Sequence, residues 1–129
     1  MDQHELAGLP LFDELSRKQR KRIASWADEV DVAQGYHLLN QGAFPYEFYV
    51  ILEGTVDVVK DGQKVATLGR GEMIGEIAIL EHERRTATVV ASSPVRAAVM
   101  TERDFEEMRT EMPDVAAKIE ETARERLSR

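Results

Sequence analysis

The middle of the chain, residues 30–100, alternates short apolar segments with glycines and polar turns. The apolar segments are five or six residues long and occupy positions 47–52, 55–59, 64–68, 86–91 and 95–100. Segments of this length that are rich in valine and threonine are typical of β-strands. Asp61-Gly62 stands between the second and third segments, and Asp-Gly in such a place is a strong signal for a tight hairpin. The pattern predicts an antiparallel β-roll, or jelly-roll-like barrel, rather than parallel strands joined by helical crossovers.

Before the β-roll, apolar residues recur at near-helical spacing from Leu11 to Trp26. Ser16, with Gln19 three residues later, matches a capping box, so a helix is predicted to begin there. The basic stretch at residues 17–22 is interpreted as the solvated face of this helix. A patch for nucleic acid or membrane lipid is the alternative, but the stretch lacks the interleaved aromatic residues on which bases stack.

After the β-roll, Thr101 and Asp104 resemble the capped start of a helix, and Pro113 opens a second helix at the position that proline favours. The apolar faces of these helices are predicted at Phe105, Met108, Val115, Ala116, Ile119, Ala123 and Leu127. The whole chain is thus predicted to be one α+β domain, with an N-terminal helical segment at residues 1–29, the β-roll at 30–100 and two C-terminal helices at 101–129. A further short helix is predicted inside the roll, starting near Glu76.

Composition excludes several classes of protein. The 129 residues suffice for one domain with a hydrophobic core, and the absence of cysteine excludes disulfides, thiolate zinc sites, iron–sulfur clusters and a cysteine nucleophile. The N-terminus lacks a signal-peptide pattern and no apolar run reaches the ~18 residues of a membrane span, so we expect a cytoplasmic protein that does not bind membranes. A net charge of −7 disfavours binding to DNA or RNA. We expect a monomer or a weak dimer.

Side chains suited to catalysis or metal binding are scattered along the sequence. A metal-dependent enzyme of the cupin type would share a β-roll, but it needs histidines grouped on its strands. The three histidines, His4, His37 and His82, are isolated from one another. We therefore expect no enzymatic activity and no metal cofactor, and the cupin-type enzyme remains the less favoured alternative.

The densest group of special residues begins with three glycines, Gly69, Gly71 and Gly75. Glycines permit backbone conformations in which successive N–H groups converge on an anion. Arg85 adds a planar cation that matches phosphate oxygens. Glu76 cannot contact phosphate favourably, and its natural target is a pair of hydroxyls, as on a ribose. Phosphate donors beside a ribose acceptor predict a nucleotide site.

Residues 75–89 closely resemble the phosphate-binding cassette of cyclic-nucleotide-binding domains, the family of catabolite activators and protein-kinase regulatory subunits. The family pattern is Gly-Glu, a small residue two positions later, and then Arg-(Ala/Ser/Thr)-Ala before a valine-rich strand. The residues that match are Gly75, Glu76, Ala78, Arg85, Thr86, Ala87 and Val89. Residues 42–58 also resemble the family's segment between two glycine turns. The loop at residues 81–84 departs from the pattern, because it reads Glu-His-Glu-Arg where many members have Gly or Pro.

The resemblance implies a non-catalytic regulatory sensor that binds a cyclic nucleotide, cyclic AMP before cyclic GMP. In the family the glutamate binds the ribose 2′-hydroxyl and the arginine binds the cyclic phosphate, roles that fall here on Glu76 and Arg85, with backbone N–H groups near Ala78 and Thr86 assisting. The implied ligand-binding residues are Gly75, Glu76, Ile77, Ala78, Arg85, Thr86 and Ala87.

We expect the nucleotide to change the position of the last helix and the signal to pass to a separate protein effector. The chain is expected to be a stand-alone domain, and a piece excised from a longer protein is the alternative. A further alternative keeps the same fold without a ligand: Glu76 and Arg85 would then pair with each other, and the domain would serve as a protein-interaction module.

Overall fold

A computed structural model describes residues 1–127, apart from the side chains at positions 77, 80, 123, 126 and 127. The strands of the described chain are β1 (Asp28–Val32), β2 (His37–Leu39), β3 (Glu47–Glu53), β4 (Val56–Lys60), β5 (Gln63–Leu68), β6 (Met73–Ile74), β7 (Thr88–Ala91) and β8 (Val95–Thr101). Its α-helices are α1 (Arg17–Trp26), α2 (Glu76–Glu81), α3 (Glu102–Glu111) and α4 (Pro113–Leu127), and short 3-10 helices at Gln3–Glu5 and Pro10–Phe12 precede them.

The strands form two four-stranded antiparallel sheets, with orders β1-β8-β3-β6 and β2-β7-β4-β5. Apolar residues from both sheets, including Ile51, Val56, Val89 and Ala97, form one buried cluster between them. The chain therefore has the predicted α+β class and antiparallel β-roll. The cassette helix α2 lies between β6 and β7, so the roll itself carries the segment in which the site was predicted.

A second buried cluster joins the roll to the helices. Phe48 of β3 packs edge-to-face against Phe105 of α3, with ring centroids 6.1 Å apart. Met108 is buried on the same face of α3, as predicted. In α4 the predicted residues Val115, Ala116 and Ile119 are buried, whereas the side chains of Ala123 and Leu127 lie outside the described part of the chain. Helix α4 also packs against α2.

Local sequence signals set the predicted turns and helix starts. Asp61 and Gly62 both have positive φ, 51° and 79°, as a tight turn between β4 and β5 requires. Ser16 and Gln19 form the predicted capping box at the start of α1, with hydrogen bonds of 2.9 and 3.1 Å. Thr101 caps α3 in the same way through Asp104.

Two strands, β1 and β6, were not among the predicted segments, whereas β2 begins at His37, in a stretch that reads as a strand. Strand β1 begins at Asp28, ahead of the predicted start of the roll at residue 30, and its polar residues alternate with the half-buried Val30 and Val32. Strand β6 has only two residues, which is too short to show the alternation of apolar and polar residues that is typical of a strand. No described helix is long and apolar enough to cross a membrane.

Candidate ligand-binding site

One cavity of about 110 Å³ brings the predicted site residues together. Gly75, Glu76, Ala78, Arg85, Thr86 and Ala87 all line it. Ile77 lies in α2 beside them, and its side chain is outside the described part of the chain. The remaining walls are apolar and come from both sheets: Leu39, Val58, Leu68, Ile74 and Val89.

Arg85 is buried, with 5% of its surface exposed. Its guanidinium Nη1 donates to the carbonyl oxygen of Gly75 at 2.8 Å, and Nη2 donates to the carbonyl oxygen of Glu47. Its backbone is held as well, because its N–H donates to Ala43 and its carbonyl accepts from Gly42, both at 2.8 Å. The arginine therefore joins the start of α2, the start of β3 and the loop that precedes β3.

Gly75 must be a glycine at this point. Its φ is +87°, in the left-handed region, where a side chain is strained. A Cβ atom would also lie 2.7 Å from Nη1 of Arg85 and 3.2 Å from the carbonyl oxygen of Glu47. The absent side chain lets the guanidinium lie directly against the N-terminal end of α2.

Glu76 is more deeply buried than Arg85, with 2% of its surface exposed, and it is the first residue of α2. Burial lowers the pKa of the Arg85 guanidinium, and attraction by Glu47 and Glu76 opposes that change. Burial is also the main reason why the pKa of Tyr49 rises to about 12, so its hydroxyl stays protonated at neutral pH. The cavity thus has one fixed cation and acidic groups beside it.

This arrangement suits a ligand that has an anionic group, a hydroxyl and an apolar face. The two bonds of Arg85 to backbone carbonyls engage two of the five N–H groups of a guanidinium, which leaves capacity for a ligand. Pockets that enclose an entire drug-sized molecule have about 300–1,000 Å³. At about 110 Å³ the cavity would enclose only the polar part of such a ligand.

Among the described side chains of the cassette, the exposed ones are those of Glu81, His82, Glu83, Arg84 and Thr86. Thr86 is exposed at the rim of the cavity. The Arg84 guanidinium lies 4.3 Å from the ring centroid of the exposed Phe44. His82 ends α2 in a left-handed conformation, and its Nδ1 is 3.6 Å from a carboxylate oxygen of Glu102, the first residue of α3.

The carbonyl of Glu47 and the walls from Leu39, Val58 and Leu68 were not predicted as parts of the site. Every residue has a backbone carbonyl, so the residue type does not indicate which carbonyl belongs to a site. The three apolar residues cannot be distinguished in the sequence from other buried strand residues. Only the pairing of the strands could have located them. In the described part of the chain, no three His, Asp or Glu residues are grouped closely enough to hold a metal ion.

Comparison with known proteins relates this cavity to a family. Residues 29–111 match the family model for the cyclic nucleotide-binding domain. The chain is 34% identical over 109 residues to the cAMP-dependent protein kinase regulatory subunit of Mycosarcoma maydis, covering 78% of this chain and 21% of that protein. It is 37% identical over 84 residues to the cGMP-dependent protein kinase of Eimeria tenella, covering 65% of this chain and 8% of that protein.

The fold is shared with the regulatory subunit of a cAMP-independent protein kinase A from Trypanosoma brucei. The TM-score is 0.84 at 23% identity, and the match covers 98% of this chain and 44% of that one. The chain thus spans about a fifth of the fungal regulatory subunit and less than half of the trypanosomal one. With the family match over most of the roll and the buried glutamate and arginine at one cavity, the chain belongs to the cyclic nucleotide-binding domain family.

Proposed function

We propose that the domain is a regulatory sensor that binds a cyclic nucleotide and catalyses no reaction. The observation that carries the proposal is the pair of buried charged residues, Glu76 and Arg85, at one cavity with apolar walls. Arg85 holds the cyclic phosphate and Glu76 accepts the ribose 2′-hydroxyl. A buried cation gains most from a ligand that brings a full negative charge, since charge-assisted hydrogen bonds are about twice as strong as neutral ones.

The base then lies at the open mouth of the cavity, because the enclosed volume accommodates only the phosphate and ribose. Signal transfer follows from the packing: α2 begins with Glu76 and contacts α4, so a shift of the cassette on binding displaces the last helix. A separate protein effector recognises the displaced helix. The M. maydis relative, a kinase regulatory subunit, supports this kind of role.

Cyclic AMP is proposed to bind as tightly as cyclic GMP or more tightly. Thr86 is the exposed hydroxyl at the rim, and one hydrogen bond from it to guanine would contribute about 0.5–1.5 kcal/mol, roughly two- to tenfold in affinity. Thr86→Ala should therefore weaken cyclic GMP more than cyclic AMP in competition titrations. A strong preference of the parent for cyclic GMP would contradict this choice of ligand.

Isothermal titration calorimetry of the purified, nucleotide-free protein tests the function itself. One-to-one binding of either cyclic nucleotide, with 5′-AMP binding much more weakly, is the expected result. Absence of heat with both cyclic nucleotides at several temperatures would contradict the proposal. Several temperatures are needed because the binding enthalpy passes through zero at some temperature when apolar surface is buried.

A ligand-free interaction module is the second candidate. It is favoured by one observation: Arg85 already donates to two backbone carbonyls and could serve only to hold the cassette in place. The T. brucei neighbour, a regulatory subunit of a cAMP-independent protein kinase A, is an example of this fold in a kinase that does not depend on cAMP. The calorimetric experiment separates the two candidates, since the interaction module binds neither nucleotide.

A further inference from the structure

The two sheets each end in a strand at the same corner of the roll. Strand β1 is the end strand of one sheet and pairs, among the described strands, with β8 alone; β2 is the end strand of the other. Residues 33–36 join them in a turn that is closed by a hydrogen bond from Tyr36 N–H to the Ala33 carbonyl. In an antiparallel strand alternate N–H and C=O groups point to each side. The outer edge of β1 therefore presents backbone groups that a further strand could use.

A cleft of about 340 Å³ lies at this corner, and we call it the edge cleft. Val30, Val32, Ala33 and Leu38 give it apolar walls, Tyr36 and Tyr49 add two rings, and Asp31 lines it as well. Tyr36 is 56% exposed although it is a large aromatic residue. A cleft of this size with apolar and aromatic walls can take one or two apolar side chains.

The exposed side chains of β1 are acidic. Asp28, Glu29 and Asp31 are exposed on the strand. Arg96 lies opposite Asp31 in the register, but its guanidinium is shared by Glu5, Glu29 and Glu53. One arginine among so many carboxylates leaves the surface around the edge negative.

We propose that β1 is a docking edge for an extended basic segment of a partner protein, which joins the sheet as an additional strand. Side chains alternate between the two faces of a strand. On β1 this alternation puts Glu29 and Asp31 on one face and Val30 and Val32 on the other. The partner segment therefore alternates basic and apolar residues, with its basic side chains beside the carboxylates and its apolar ones in the edge cleft.

Charge argues for a partner rather than a second copy of this chain. Two copies of β1 placed edge to edge would bring Asp28, Glu29 and Asp31 against the same acidic residues. Like charges opposite each other in a sheet are destabilising. Each chain also carries a net charge of −7, which opposes its self-association. The inference does not depend on the nucleotide-binding function.

Selection from a random heptapeptide library displayed on phage tests the proposal with the full chain as bait. Selected peptides should alternate basic and apolar residues, and their synthetic versions should bind Asp31→Lys at least about tenfold more weakly than the parent. Asp114→Lys, an exposed acid on α4, is the matched control and should bind as the parent does. Circular dichroism verifies that both variants fold. Selection that yields no such peptide, or peptides that bind both variants equally, overturns the proposal.

Backbone pairing has its own readout. N-methylation of alternate residues of a selected peptide blocks the N–H groups along one edge only. Methylation of the set that faces β1 should abolish binding, and methylation of the other set should leave it unchanged. Equal effects of the two sets would overturn strand addition. If the parent sediments as a dimer that the peptides dissociate, the edge belongs to a second copy and the proposal is wrong.

Discussion

The backbone and guanidinium of Arg85 form hydrogen bonds to three segments of the chain. These contacts determine the expected effect of replacing the arginine. Arg85→Ala should lower cyclic nucleotide affinity by about 2–5 kcal/mol, roughly 30- to 4,000-fold, because the phosphate would be buried without its cation. Arg84→Ala should change affinity only a few-fold, since that guanidinium stacks on the exposed Phe44 outside the cavity. Calorimetry of both variants checks the pair of results.

Arg85→Ala should also reduce the stability of the protein, because the carbonyls of Gly75 and Glu47 lose their hydrogen-bond donors. An unsatisfied buried acceptor costs about 1–3 kcal/mol. Urea unfolding of each variant determines how much of the protein is folded under the binding conditions. Equal losses of affinity in folded Arg84→Ala and Arg85→Ala would refute the assignment of the phosphate arginine.

Glu76 gives a second prediction at the scale of single residues. A buried carboxylate that accepts a ribose hydroxyl contributes about 1.5–3 kcal/mol, as hydrogen bonds to charged groups do. The parent should therefore bind 2′-deoxy cyclic AMP more weakly than cyclic AMP, by roughly ten- to a hundredfold. Glu76→Gln should bind the two ligands with nearly equal affinity, because the charged acceptor is gone. Equal binding of both ligands by the parent would remove Glu76 from the ribose contact.

Motif spacing predicted that Glu76 and Arg85 belong to one site, and the structure brings both residues to one cavity. Spacing could not predict that Arg85 donates to the Glu47 carbonyl, since any residue at position 47 offers the same oxygen. The sequence could therefore predict which side chains meet at the cavity, but not which backbone groups they contact.

At the scale of elements, the helices were the best predicted parts. The capping boxes at Ser16 and Thr101 and the proline at the start of α4 are local signals that act within one turn. Each capping box is formed by residues three positions apart, so it can be recognised in the sequence without knowledge of the fold. Strands β1 and β6 were missed because their identity depends on the partner strands β8 and β3.

Helix α4 is the element that should respond to ligand. It packs on α2, which begins with Glu76, and its buried face includes Val115, Ala116 and Ile119. A ligand at 100 times its Kd stabilises the folded protein by about 2.7 kcal/mol. Amides that exchange only when the protein opens and releases the ligand should therefore exchange up to about a hundredfold more slowly. Hydrogen exchange in α4 should slow on addition of cyclic nucleotide more than in the β4–β5 hairpin. Equal changes in the two elements would make α4 a fixed part of the core.

At the scale of the whole molecule, ion pairs join segments that are distant in sequence. Arg96 of β8 contacts Glu5, which belongs to the N-terminal 3-10 helix, and Glu53 at the end of β3. Arg22 of α1 makes two hydrogen bonds, of 2.8 and 2.7 Å, to Glu111 at the end of α3. No periodicity in the sequence could reveal these pairs, because their partners meet only when the sheets and helices are assembled.

These pairs predict how stability depends on pH. The hydrogen bond from Arg96 lowers the pKa of Glu53 below its ordinary 4.5, so the folded state binds fewer protons there than the unfolded chain. The contribution is complete above about pH 5 and is lost as pH falls through the lowered pKa. The free energy of unfolding, measured in urea, should therefore decrease from about pH 6 to pH 3, and the decrease should be shallower in Arg96→Gln. Arg17 is an exposed arginine of α1, so Arg17→Gln is the control and should show the same decrease with pH as the parent. If Arg96→Gln also showed the parent's decrease, the carboxylates that contact Arg96 would not contribute to the pH dependence of stability.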